Sequence, residues 1–191
     1  MSDRSAVFTE PLAAAFEVLE QVDIKPSHRV AVLGDGKLGL LVAMVLRRTA
    51  CKLVCVGKRH ERLGILSKLG IETMEASAAR NIEWEYDVVV DATGSASGMQ
   101  DAARMVKPRG TIVMKTTVAD QRAIDLNALV INEITVTGSR CGPFPKAIEA
   151  LKKGEVDPEP LISCIMNLDG GAAILENAKR KDVIKALISI Q

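Results

Sequence analysis

The strongest chemical signal in the 191-residue sequence is a group of closely spaced glycines. Gly34, Gly36 and Gly39 follow the pattern GxGxxG, directly after the apolar run 29–33 and at the start of a second apolar segment. Between a strand and a helix, such glycines permit a tight turn, bring backbone close to a pyrophosphate and let the helix pack on the sheet. The helix N-terminus adds N–H donors and a partial positive charge. This context predicts a dinucleotide-binding turn, and an unrelated strand–helix turn is the alternative.

The end of the next apolar run, 53–56, bears on which dinucleotide would bind. Sites for NAD commonly carry an acid there, about 20 residues after the glycines, which binds the ribose 2′-hydroxyl. This sequence has Gly57, Lys58 and Arg59 instead. An Arg can bind a 2′-phosphate through its fork of N–H donors, and a Lys adds a point charge. These residues favour NADP(H) over NAD(H), and an ordinary solvated turn is the alternative. Because S-adenosylmethionine-dependent methyltransferases usually also have an acid at this position, its absence argues against that class.

Strand and helix patterns alternate along the whole chain, which predicts an α/β fold: a doubly wound parallel β-sheet with helices on both faces, the Rossmann fold. The predicted strands are 29–33, 52–56, 86–91, 111–115, 134–137 and 186–190. The predicted helices are 10–22, 37–49, 60–69, 97–106, 143–153 and 169–180. We expect one dinucleotide-binding domain over 1–191, with an entry helix at about 10–22, a Rossmann core at about 28–140, and C-terminal helices and a last strand at about 143–190.

Composition excludes several other classes of protein. Hydrophobic residues make up 48% of the chain and aromatic residues only 3%, so the core must be aliphatic and disorder is excluded. Lys plus Arg number 25 and Asp plus Glu 24, a net charge of +1, which argues against a general nucleic-acid binder. No apolar run approaches the roughly 18 residues of a membrane span, and the N-terminus lacks a signal-peptide pattern. We therefore expect a soluble, cytoplasmic protein.

The sequence offers few candidates for a metal centre. The four cysteines, at 51, 55, 141 and 164, form no CxxC pair and have no His at zinc-finger spacing, so we expect free thiols. Glu10 is interpreted as an acid at a helix N-terminus. His28 and His60 lie in predicted turns and are interpreted as surface residues. No zinc site and no nucleophile–base pair can be assembled from these residues.

Five segments together resemble the coenzyme-binding half of the medium-chain dehydrogenase/reductase family, the zinc-type alcohol and polyol dehydrogenases. They occur in the order that the family has, and the resemblance covers about residues 8–190. The segments are FTEPLA at 8–13, VAVLGDGKLG at 30–39, DVVVDATG at 87–94, PRGT at 108–111 and NEITVTGSR at 132–140.

The resemblance implies a role in cofactor binding for particular residues. The residues expected along the pyrophosphate are Gly34, Asp35, Gly36, Lys37, Leu38 and Gly39. Those expected around the adenosine 2′ position are Gly57, Lys58 and Arg59. Those expected beside the adenine and its ribose are Ala92, Thr93 and Gly94. Those expected near the nicotinamide are Lys115 and Thr116, and those expected to close over the cofactor are Ser139 and Arg140.

The resemblance also implies an activity and its limits. Family members transfer hydride between the nicotinamide and an alcohol or carbonyl, using a zinc ligand set and a proton relay from an N-terminal catalytic domain. This chain opens at the entry helix, so we expect it to bind cofactor, to hold no zinc and to be inactive unless joined to a separate catalytic domain or chain. The alternative is a non-catalytic NADP(H)-sensing module that acts through a partner.

The family resemblance further implies a homodimer. Residues 124–126 correspond to an edge strand that pairs with its twin across a two-fold axis, so we expect 123–126 at the centre of the interface. A monomer with its edge blunted by the charged residues at 120, 122 and 125 is the alternative.

Overall fold

A computed structural model describes residues 1–117 and 125–190. Its helices are α1 (Asp3–Ala6), α2 (Thr9–Gln21), α3 (Lys37–Leu46), α4 (His60–Lys68), α5 (Gly98–Met105), α6 (Leu126–Ile131), α7 (Phe144–Lys152) and α8 (Gly171–Lys179). Its strands are β1 (Arg29–Leu33), β2 (Lys52–Gly57), β3 (Glu72–Glu75), β4 (Tyr86–Asp91), β5 (Val106–Met114), β6 (Thr135–Gly138), β7 (Ile162–Asn167) and β8 (Lys185–Ser189).

Six strands form one parallel sheet in the order β3-β2-β1-β4-β5-β6, which confirms the predicted doubly wound α/β fold. Successive residues of β1 point to opposite faces: Val30 and Val32 join one buried cluster and Ala31 and Leu33 the other. Both faces of the strand are therefore covered, which explains its uninterrupted apolar run. The helices α2, α3 and α7 contribute to the first cluster, and α5 contributes to the second.

Helix α3 is apolar on nearly every side, and residues 39–46 are all buried, as the sequence predicts. It ends at Leu46 rather than Thr49, because the last three residues tighten into a 3₁₀ turn. Ala50 follows with φ of 57°, a left-handed conformation that stops the helix.

Two strands were not predicted. β3 has two glutamates and one large apolar residue among its four residues, so only its ladder with β2 defines it as a strand. β7 pairs with β8 in a separate two-stranded parallel sheet. Strand β5 begins at Val106 rather than at the predicted position 111. Its pairing with β4 shifts register in the added segment, and Arg109 there has φ of 62°.

The predicted edge strand at 124–126 is wrong where it can be compared. Asp125 caps helix α6 by accepting a hydrogen bond from the Asn127 N–H, and Leu126 is the first residue of that helix. Positions 123 and 124 lie outside the described residues.

Within the described ranges, no helix is long and apolar enough to cross a membrane.

Candidate functional site

The glycine turn connects β1 to α3, and its three glycines serve different purposes. Gly34 has φ of 117°, and a Cβ there would lie 2.5 Å from the carbonyl oxygen of Ala92, the residue that follows β4. A Cβ on Gly39 would lie 2.0 Å from the carbonyl oxygen of Gly34. These two glycines therefore allow the backbones of turn, strand and helix to meet.

Gly36 differs because a Cβ there would meet nothing within 4 Å. It is the N-cap residue of α3, with an extended backbone (φ −77°, ψ 171°) that any residue adopts. The fold itself therefore does not require glycine at this position. The open space lies at the helix N-terminus, just before the predicted contacts Lys37 and Leu38, where backbone N–H groups offer donors to an anion.

Asp35 joins the glycine turn to the end of β2. Its Oδ2 accepts hydrogen bonds from the backbone N–H groups of Lys58 (2.9 Å) and Arg59 (2.6 Å), and its Oδ1 accepts one from Arg59 Nη1 (3.2 Å). The side chain of Asp35 is 8% exposed and that of Arg59 43%. The structure thus brings the two predicted groups of site residues together through a buried carboxylate. Its proximity also adds to the effect of burial on Cys55, whose pKa rises to about 12.

A cleft of about 560 Å³ opens over these residues. It is lined by the carboxyl ends of β1 and β2 and by segments that follow β3 and β4. Because β1 and β4 adjoin at the point where the chain order of the sheet reverses, the cleft has the usual position of a ligand site in doubly wound folds. Two exposed cations, Lys58 and Arg80, line it together with Arg59. Sequence reasoning missed Arg80, since no spacing rule connects it with the glycine turn.

Asp91, at the end of β4, organises a second group of predicted residues. It is fully buried, and its Oδ1 accepts hydrogen bonds from Thr93 N (2.9 Å), Thr93 Oγ1 (2.8 Å) and Thr116 Oγ1 (2.8 Å). The Gly94 N–H in turn donates to Thr116 Oγ1 (3.0 Å). Sequence reasoning missed the role of Asp91, although an acid directly after the apolar run 88–90 is a signal that could have identified it. The hydrogen bonds hold the loops after β4 and β5 next to each other.

Lys115 lies apart from the cleft described above. Its ammonium donates to the carbonyl oxygens of Ala14 (2.7 Å) and Arg140 (3.1 Å) and to Ser139 Oγ (3.0 Å), and the residue is only 8% exposed. Burial lowers the pKa of Lys115, while the nearby acids Glu17 and Glu10 act in the opposite direction. The structure thus brings Lys115, expected near the nicotinamide, into contact with Ser139 and Arg140, expected to close over the cofactor. The ammonium also connects the entry helix α2 to these residues.

Zinc-ligating side chains do not cluster in the part of the chain that the structure describes: no three His, Cys, Asp or Glu residues converge. His60 and Glu10 are exposed, and His28 is half-buried and accepts a hydrogen bond from the Lys25 N–H. The four cysteines are free thiols, as expected, although only Cys55 is buried. Within the described ranges, these residues do not form a site that fits a zinc ion.

The strand order and the glycine-rich β1–α3 turn are those of the Rossmann fold. Residues 38–153 match the family model described as zinc-binding dehydrogenase, and the chain belongs to that family. It corresponds to the Rossmann-fold part of the family's members. The sequence-based assignment to the zinc-type alcohol and polyol dehydrogenases is therefore confirmed.

Curated relatives agree with this assignment. D-xylulose reductase A of Aspergillus oryzae is 25% identical over 97% of this chain and 57% of its own length. The 2-dehydro-3-deoxy-L-galactonate 5-dehydrogenase of Pseudoalteromonas atlantica is 26% identical over 97% of this chain and 58% of its own. The chain thus spans little more than half the length of the curated relatives it matches.

Solved structures share the fold. A zinc-binding dehydrogenase of Sinorhizobium meliloti, crystallised with NADP, superposes with a TM-score of 0.88 at 23% identity, over 96% of this chain and 58% of that one. An alcohol dehydrogenase of Escherichia coli in complex with NADH gives 0.87 at 22% identity, over 98% and 60%. At these identities the likeness establishes the fold.

Proposed function

We propose that this chain is a single dinucleotide-binding domain of an alcohol or polyol dehydrogenase-like oxidoreductase and that it binds NADP(H) in preference to NAD(H). The observation that carries the preference is the end of β2, where Gly57 offers no carboxylate and the side chains of Lys58 and Arg59 are exposed. Solved structures of the same fold contain NADP in one case and NADH in another, which supports a nicotinamide dinucleotide for the fold as a whole.

The proposed contacts follow the geometry of the cleft. The pyrophosphate lies along residues 34–39, in the open space beside Gly36. The adenosine 2′-phosphate is bound by Lys58 and Arg59, and the ribose lies beside residues 92–94. Thr116 lies toward the nicotinamide, and Arg140, which is exposed, closes over the cofactor.

The proposed activity is hydride transfer between nicotinamide and a small alcohol or carbonyl, in an assembly with a catalytic domain. The cofactor, when bound, supplies or accepts the hydride; the residues of this chain bind it and orient it. Exposed apolar side chains around the β7–β8 sheet, among them Leu168, Leu175 and Ile188, support a partner surface there. Membership of a dehydrogenase family favours this function over a sensing module.

We also propose a homodimer that works in the cytoplasm. Strand β6 is an edge of the six-stranded sheet, and Val136 on it is 42% exposed. Three apolar side chains of α6 are largely exposed: Leu126 (64%), Val130 (74%) and Ile131 (78%). This apolar surface supports association of two copies next to residues 123–126, the predicted centre of the interface. The four free thiols support a reducing compartment.

The test of cofactor preference is Arg59→Ala. A charge-assisted hydrogen bond contributes roughly 1.5–3 kcal/mol, and we expect the lower end, about tenfold in NADPH affinity, because Arg59 is partly exposed. NADH affinity should change much less. Calorimetric titration of both cofactors measures the difference, and Arg4→Ala, which removes an exposed Arg from α1, is the matched control. Equal affinities of the unmodified protein for NADPH and NADH would refute the preference.

A further inference from the structure

The side chain of Asp35 occupies the space beside Gly57 at the end of β2. A Cβ built on Gly57 would lie 2.6 Å from Asp35 Cβ and 3.0 Å from its Cγ. The first turn therefore supplies a carboxylate at the strand end where Gly57 has no side chain. It also leaves no space for a side chain at position 57.

The position of this carboxylate is fixed from both sides. The backbone carbonyl of Asp35 accepts a hydrogen bond from Arg62 Nη1 (3.3 Å), and Arg62 Nη2 donates to the carbonyl oxygen of Lys181 (2.6 Å). The carboxylate of Asp35 accepts hydrogen bonds from the backbone N–H groups of Lys58 and Arg59 and from Nη1 of the Arg59 guanidinium. The hydrogen bonds therefore hold the carboxylate of Asp35 in place next to the guanidinium of Arg59.

The donors bound by Asp35 are those that a 2′-phosphate would use. Two backbone N–H groups and one N–H of Arg59 already point at the carboxylate, so a phosphate must compete with it for the guanidinium.

We propose that Asp35 is a specificity-determining residue: by holding Arg59, it limits how strongly the site prefers a 2′-phosphorylated cofactor. This inference rests on the proposed NADP(H) site. Asp35 acts through Arg59 and is a positioning residue. The strength of the preference is then set by the Asp35–Arg59 pair rather than by the cations alone.

The test is Asp35→Asn, which keeps the shape of the side chain. The amide oxygen can still accept the backbone N–H groups of Lys58 and Arg59, so the turn is retained. The amide NH₂ then faces Arg59 Nη1, donor against donor, and the guanidinium is released. We expect the ratio of NADPH affinity to NADH affinity to rise about three- to tenfold. ADP-ribose with and without a 2′-phosphate should give the same shift, because the effect lies at the adenosine end.

Two further variants separate this mechanism from a structural or general charge effect. In the Arg59→Ala background, Asp35→Asn should leave the ratio nearly unchanged. Glu75→Gln removes the charge of a carboxylate that lines the same cleft and accepts a hydrogen bond from Ser77, and it should change the ratio much less than Asp35→Asn.

The outcomes distinguish the inference from the function on which it rests. If the unmodified protein prefers NADPH through Arg59 but Asp35→Asn leaves the ratio unchanged or lowers it, the inference alone is overturned. An equal rise with Glu75→Gln, or a rise that persists without Arg59, overturns it as well. If neither cofactor binds any variant, the proposed function fails and the inference fails with it.

Discussion

Replacing Lys115 by Met tests whether its buried ammonium joins the entry helix to the sheet. The Met side chain has a similar length and can fill the same space, but it cannot donate to Ala14, Ser139 and Arg140. Hydrogen bonds from a charged group stabilise by roughly 1.5–3 kcal/mol each, while burying the ammonium costs several kcal/mol. We therefore expect a net destabilisation of about 2 kcal/mol, and a Tm lower by about 4–8 °C for a chain of this length.

The effect should also depend on pH with a defined sign. Burial holds the pKa of Lys115 below 10.5, its value in the unfolded chain. As pH rises through the interval that ends at 10.5, the folded state loses this proton first, so the unfolded state binds more protons and the contribution of Lys115 to stability increases. The difference between the unmodified protein and Lys115→Met should therefore grow with alkaline pH.

Urea unfolding at neutral and alkaline pH measures both expectations. Lys146→Met is the matched control, because Lys146 is an exposed lysine whose only described partner is Glu20, and such pairs contribute about 0–1 kcal/mol. A change of less than about 0.5 kcal/mol for Lys115→Met, or a difference that shrinks as pH rises, would refute this account of Lys115.

Two further predictions concern assembly and metal. Light scattering at micromolar concentration should show a dimer that Leu126→Lys dissociates and Leu175→Lys does not, although both leucines are 64% exposed; a monomeric unmodified protein, or equal sensitivity to both changes, contradicts the proposed surface. The chain by itself should contain no stoichiometric zinc and should not oxidise alcohols or polyols with NADP, because its described residues bring no three metal ligands together; metal analysis and steady-state assays test this, and zinc together with turnover would contradict it.

Local spacing was sufficient to predict the strand–turn–helix unit that carries the glycines of the candidate site. Gly34, Gly36 and Gly39 are close in sequence, and the apolar runs around them define a strand and a helix without further information. The alternation of such units also predicted the six-stranded sheet, except for β3, in which two of the four residues are glutamates and no apolar run is present.

Contacts between units could not be predicted in the same way. The pair formed by Asp35 and Arg59 depends on the register of β1 with β2, which no residue type specifies. The burial of Lys115 depends on the packing of helix α2, which brings the carbonyl oxygen of Ala14 within hydrogen-bond distance of its ammonium. A lysine is mostly exposed in proteins, so its type predicts the opposite.

The most direct test of the central claim is titration of NADPH and NADH into the unmodified protein and into Gly36→Asp. The backbone at Gly36 suits any residue, a Cβ there would meet nothing within 4 Å, and Asp is a favourable N-cap. The free energy of unfolding of the variant should therefore lie within about 0.5 kcal/mol of that of the unmodified protein. Its carboxylate would stand where the pyrophosphate is proposed to bind, and like charges in contact cost several kcal/mol, so both cofactors should bind at least ~100-fold more weakly. The account predicts NADPH binding tighter than NADH in the unmodified protein and the loss of both in the variant. Binding of neither cofactor by the unmodified protein, or undiminished binding by the folded variant, would contradict it.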